Sequence, residues 1–188
     1  MWSGLILLAA VQAGDPAGAR ACTLAEVRDL TAPSDQAYRL TCRADLAGVA
    51  VRRPVLVEGA EASGAGIDCG GGVIRPAREA TAQSAAPLGT ILERVRFEGV
   101  GTIPLYVGPG VTQTVVARSR FSGRSVSTAV YLDAESAGTV IQDNDFTIRT
   151  GREQIAVDGS GANRIIGNRF ALGGRGGVFL YRNCGEDG

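Results

Sequence analysis

Four stretches in the second half of the chain each close on a phenylalanine: ILERVRF (91–97), VVARSRF (115–121), VIQDNDF (140–146) and RIIGNRF (164–170). Phe97, Phe121, Phe146 and Phe170 lie 24, 25 and 24 residues apart. After each comes a Gly-containing turn and a second short apolar run: IPLYVG (103–108), AVYLDA (129–134), IAVDGS (155–160) and GVFLYR (177–182). A self-similar period of this length marks a solenoid, in which no unit can bury its apolar face alone. The leucine-rich repeat has a similar period but needs Leu at most anchors, and here the anchors are Ile, Val and Phe.

Superposing the four lines on their phenylalanines gives columns. Leu92, Val116, Ile141 and Ile165 share one; Val95, Ser119, Asn144 and Asn168 share another, two residues before each Phe. The second runs align Leu105, Val130, Ile155 and Val178, and then Val107, Leu132, Val157 and Leu180. Strand alternation points these columns inward and their neighbours outward. Asn144 over Asn168 predicts a short asparagine ladder at a turn, each amide bonding the next coil.

Composition agrees: 27 Gly and only 5% aromatic residues suit short strands and tight turns better than a helical bundle. Every one of the 19 basic residues is Arg, matched by 19 acids, so no net charge argues for a nucleic acid or an anionic membrane. The absence of His removes the commonest general base and metal ligand.

Upstream, SGLILLAAVQA (3–13) ends in small residues and reads as an export leader over 1–13, extending as far as 21 if the small-residue spacer 14–21 is included. It is too short to span a bilayer. Export to a periplasmic or extracellular compartment makes a disulfide reasonable. Cys22, Cys42, Cys69 and Cys184 allow three connectivities; Cys22 with Cys42 is favoured because both lie in the segment that caps the repeat. Thr23-Leu24-Ala25-Glu26 is a capping box for a helix ending near Thr31, with Leu24, Val27 and Leu30 on one face. Such a helix is a natural cover for the first open coil. Tyr38–Cys42 and Pro54–Glu58 read as strands, Gly70-Gly71-Gly72 as a turn, and 78–88 as a loop.

The pattern I/V-x-x-N-x-F, a Gly turn, then apolar-x-apolar, plain in 141–157 and 165–180, resembles the right-handed parallel β-helix repeat of the pectate-lyase-like superfamily. SGAGIDCGGGVI (63–74) looks like an opening coil of secreted bacterial β-helix proteins, and GGVFLYRNCGEDG (176–188) like a later one. The resemblance covers roughly 36–188, clearest from 89 onward. It implies an all-β right-handed parallel β-helix over 22–188 with a short N-terminal capping helix, and a polysaccharide as partner.

The superfamily's enzymes act in a groove along one outer face. The polygalacturonase-like and alginate-epimerase-like motifs need His, and the former also Lys, which this chain lacks. The arrangement left is lyase-like, with Ca²⁺ held by acids on neighbouring coils and an Arg as base. Asp133 and Asp158 occupy equivalent positions one strand spacing apart, roughly 4.8 Å. Two like charges so placed want a compensating cation, to which Glu135 adds a ligand. Arg152 or Arg182 is the candidate base. Asp at strand ends also serves ordinary turns. Tyr106, Tyr131 and Phe179 form an outward column with Ala156, joined by Tyr181, and an aromatic strip suits a sugar's apolar face and hydroxyls.

Two functions follow as expectations: a calcium-dependent polysaccharide lyase, or a non-catalytic surface module using the strip as a contact. The sequence stops at Gly188 directly after a well-formed coil. That predicts a truncated product whose further coils are missing, or self-association through an open end.

Overall fold

The computed structural model describes residues 19–75, 81–84, 91–101, 103–171 and 175–181. The expected leader at 1–13, Arg182 and Cys184 lie outside them. The chain is an all-β parallel solenoid of about five turns with one short helix, as the repeat predicts.

Each coil lays one strand on each of three sheets. One coil runs Leu105–Val107 on the first sheet, Val115–Ala117 on the second and Arg120–Ser125 on the third. Val130–Leu132 then returns to the first. Among the described residues the first sheet has seven strands and the second six, all paired in parallel through successive coils.

The register matches the sequence columns residue for residue. Val116 pairs with Leu92 and Ile141, and Ile141 with Ile165. Val130 pairs with Leu105 and Ile155, and Leu132 with Val107 and Val157. The phenylalanines stack, with centroids 4.6 Å apart for Phe97–Phe121, 4.5 Å for Phe121–Phe146 and 4.9 Å for Phe146–Phe170. Phe121 and Phe146 are fully buried. Each such ring contributes roughly 1.5–3 kcal/mol by burial alone.

The corner between the second and third sheets takes left-handed backbone in four successive coils. Arg94, Arg118, Asp143 and Gly167 supply it, at φ of 49°, 47°, 55° and 64°. Each precedes a member of the Val95–Ser119–Asn144–Asn168 column, and that column is where the corner is held. Ser119 Oγ accepts from the Val95 N–H (3.1 Å), Asn144 Oδ1 from the Ser119 N–H (2.9 Å) and Asn168 Oδ1 from the Asn144 N–H (2.9 Å). Side chain to next-coil backbone is thus the bond that fixes three non-glycine residues in a costly conformation.

Helix α1 (Leu24–Thr31) carries the predicted capping box: Thr23 Oγ1 accepts from the Glu26 N–H, and Glu26 Oε2 from the Thr23 N–H (2.8 Å). Its packing face is shorter than expected. Leu30 is buried and Val27 half-buried, but Leu24 is 86% exposed, so the first turn projects past the coil it covers. Arg53 ties the helix down, donating to the carbonyls of Gln36 (3.0 Å) and Asp29 (3.0 Å) with its guanidinium 5.5 Å from the Tyr38 ring centre. Cys22 and Cys42 form the favoured disulfide. Cys69 is a free, buried thiol, pushed up to about 12 by burial.

Three local expectations change. The spacer was drawn to 21, but the Cys22 N–H donates to the Arg43 carbonyl (2.8 Å) and the Arg43 N–H to that of Arg20 (2.9 Å). Residues 20–22 therefore extend the second sheet. The strands near 38–42 and 54–58 are shorter, Tyr38–Arg39 and Val55–Glu58. The loop expected over 78–88 contains a strand, Thr81–Ser84, between Val55–Glu58 and Leu105–Val107. Backbone pairing to coils on both sides specifies a strand there whatever the local propensity.

Candidate functional site

The outer face of the first sheet carries the predicted aromatic strip. Leu105 and Val107 point inward, which turns Tyr106 out; Val130 and Leu132 do the same for Tyr131. Tyr106 and Tyr131 are Cα partners, and their rings stack at 5.8 Å with 20° between planes. Both are half-buried.

Asp133 and Asp158 stand one residue past the last inward position of their strands, and each is engaged by the tyrosine of the preceding coil. Tyr106 Oη donates to Asp133 Oδ2, and Tyr131 Oη to Asp158 Oδ2. The same diagonal therefore occurs twice, one coil apart. Asp133 Oδ1 also accepts from the Ala134 N–H (2.8 Å). The other Asp158 oxygen has no partner among the described residues.

Arg152 reaches the strip from the corner before Ile155–Asp158. Its Nη2 donates to Tyr181 Oη (2.9 Å), with the guanidinium carbon 5.2 Å from that ring's centre. Phe179 lies 6.4 Å from Tyr181 and is 42% exposed. Between the tyrosine pair and Phe179, Ala156 faces outward yet is buried. The structure thus brings Tyr106, Tyr131, Asp133, Asp158, Arg152, Phe179 and Tyr181 onto one face. Glu135 occupies an exposed left-handed turn (φ 63°), and Arg182 is outside the described residues.

Among the described residues, no three of His, Cys, Asp and Glu assemble as a metal-holding group. The two aspartates are committed to tyrosine hydroxyls instead, so the like-charge problem that called for a calcium is met by neutral donors.

Two features escaped the sequence. The Tyr–Asp diagonals join columns read there as separate candidates, because a hydroxyl must cross one coil and two residues to make the bond. Glu153, beside Arg152, is only 2% exposed, with Oε2 3.7 Å from Arg152 Nε and Oε1 without a partner among the described residues. Nothing in TGREQIAV marks that glutamate as an inward residue.

Burial first, and then the bond to Asp133, pushes the Tyr106 hydroxyl up to about 12; Tyr131 is raised the same way, with Asp158 as its partner. The neutral phenol is the donor, so these bonds are fully present below the unfolded tyrosine pKa of about 10. They are lost as pH rises through the raised values. A spectrophotometric titration of tyrosinate is expected to show three of the four tyrosines lagging, Tyr38 through burial first, with one lag lost in Tyr106→Phe and one in Tyr131→Phe. A lagging population that neither substitution reduces would place the perturbation elsewhere.

No protein-family model matches this chain, and no curated protein or solved structure matches it. The chemistry of the strip itself carries the functional reading.

Proposed function

We propose that this is an exported, non-catalytic β-helix protein that binds an extracellular polysaccharide along the outer face of the first sheet. One observation supports it above the others: the stacked Tyr106–Tyr131 pair, with both hydroxyls pinned by aspartates of the next coil. A ring held by stacking and a fixed hydroxyl loses little freedom on binding, which is what preorganises a contact surface. The exposed faces suit the C–H side of a sugar ring, and the Asp158 oxygen that has no partner among the described residues accepts a hydroxyl. A disulfide between Cys22 and Cys42 fits an oxidising compartment.

The lyase reading draws on Arg152 beside Tyr181, but among the described residues its acids form no metal-holding group of three.

Isothermal titration against a panel of neutral and acidic polysaccharides tests the proposal. Tyr131→Ala is expected to weaken binding about tenfold or more, as for an aromatic anchor worth over ~1.4 kcal/mol. Tyr131→Phe, which keeps the ring, is expected to lose less. Binding indifferent to both substitutions sinks the strip as the contact. Unsaturated uronate appearing with Ca²⁺, and lost in Asp158→Ala, would restore the lyase.

A further inference from the structure

We propose that the outer face of the third sheet is a second binding surface, one that takes a linear acidic polysaccharide through its carboxylate or sulfate groups. It stands whether or not the tyrosine strip binds a sugar. The chain's zero net charge conceals a separation by face: the first sheet's strip holds Asp133 and Asp158, whereas the third sheet presents arginines coil after coil.

The residue before each stacked phenylalanine must point outward, and three of the four are arginine: Arg96, Arg120 and Arg169, with Asp145 between the last two. Farther along Arg120–Ser125, Arg124 pairs in register with Arg149 of the separate short strand Arg149–Thr150, and both are exposed. Their backbones are one strand spacing apart, roughly 4.8 Å, and like charges directly opposite each other are destabilising. Neither has an acid partner among the described residues.

Their platform is fixed. Ser125 and Thr150 beside them are buried, and the Gly151 N–H donates to the Ser125 carbonyl (3.0 Å). A Cβ on Gly151 would lie 2.2 Å from the Val126 carbonyl oxygen, so the two backbones approach as closely as glycine allows. A like-charged pair on a rigid shelf, bordering a groove with Val126, is a place where an anion relieves repulsion rather than competing with an existing partner.

Nearer the asparagine corner a second groove is lined by Arg94, Arg96, Arg118 and Arg120. Arg94 pairs with Asp68, Arg118 with Glu93 and Arg120 with Asp145 (2.9 Å), but these arginines are 52%, 55% and 56% exposed. Exposed pairs contribute little, so they can yield to a ligand's anion. Arg96 has no partner among the described residues.

Arginine forks match carboxylate and sulfate oxygens, and their recurrence along the solenoid axis suits charges that repeat along a polymer. A single-stranded nucleic acid fits less well. No aromatic ring stands on this face among the described residues to stack a base, and Asp143 and Asp145 interrupt what a phosphate backbone would follow.

The test is fluorescence anisotropy of the full chain with labelled heparin, labelled polygalacturonate and a labelled thymidine oligomer, across a salt series. Binding is expected to at least one of the two polysaccharides, the tighter one identifying sulfate or carboxylate, and to weaken steeply with salt. Arg124→Gln with Arg149→Gln is expected to lose about tenfold in affinity, as for two charge-assisted contacts. Arg96→Gln, in the other groove, should lose about threefold. A control pair with the same charge change, Arg28→Gln with Arg164→Gln, should lose none. Removing mutual repulsion should leave the melting temperature of the Arg124/Arg149 variant unchanged or raised. No binding to either polysaccharide, equal loss in the control pair, or equally tight binding of the oligomer overturns the proposal.

Discussion

Phe146→Ala is expected to destabilise the protein by about 3–5 kcal/mol, the usual range for deleting a buried aromatic side chain. The ring is fully buried and stacked on both faces, 4.5 Å from Phe121 and 4.9 Å from Phe170. Truncation removes its own burial, opens a cavity one ring thick and strips a contact face from each neighbour. A solenoid cannot spread that damage, since each coil touches only the coils beside it. The loss should therefore appear as an uncoupling, with the coil holding Ile155–Asp158 and Arg169–Phe170 fraying before the earlier ones. Urea denaturation followed by circular dichroism measures the total, and amide exchange resolved by coil measures where it falls. Phe170→Ala is the internal comparison: Phe170 is half-buried and stacked on one described neighbour only, so its cost should be clearly smaller. Equal costs at 146 and 170 would show that something other than the stack holds the coils in register.

This part of the architecture was readable because a solenoid writes its register into its sequence. Residues one period apart are Cα partners, so lining up the phenylalanines was enough to place Val116 between Leu92 and Ile141, and Tyr131 beside Tyr106. What stayed hidden was whatever the repeat does not determine. Thr81–Ser84 has no apolar alternation, and only its pairing with coils on either side makes it a strand. Leu24 fits the helical stripe by spacing but projects beyond the core it was expected to cover.

The candidate sites divide the same way. Columns of like position could be drawn, yet bonds that run diagonally between columns, such as Tyr131 to Asp158, depend on side-chain reach. The arginine face was legible in part, in the letter before each phenylalanine of VRF, SRF, NDF and NRF. A whole-chain charge of zero directed attention away from it, because a sum cannot report how charge is distributed around a prism.

The asparagine corner supplies the second large effect, with an order that a packing defect would not produce. Asn144 is 2% exposed and makes three side-chain bonds: Oδ1 accepts from the Ser119 N–H (2.9 Å), and Nδ2 donates to the Val116 carbonyl (3.0 Å) and to Asn168 Oδ1 (3.0 Å). Asn144→Ala leaves a donor, the Ser119 N–H, and an acceptor, the Val116 carbonyl, without this partner, both in the coil before. At roughly 1–3 kcal/mol for each stranded group, the expected loss is about 3 kcal/mol. Asn144→Ser should recover part of it, because Ser119 already does the corresponding work one coil earlier, its hydroxyl accepting from the Val95 N–H (3.1 Å) and donating to the Ala117 carbonyl (2.8 Å). Asn144→Asp should be at least as damaging as alanine. It keeps the acceptor for Ser119 but loses the donor and sets a carboxylate against two acceptor oxygens. The stability order Asn, Ser, then Ala with Asp is thus a signature of hydrogen bonding, since by volume alone Asp would rank beside Asn. Exchange of the Ser119 amide gives the local readout. Its protection should fall in Asn144→Ala under conditions where the phenylalanine-lined coils stay closed, because the Asp143 backbone, held in the left-handed region at φ 55°, loses the residue that anchors it to the coil before.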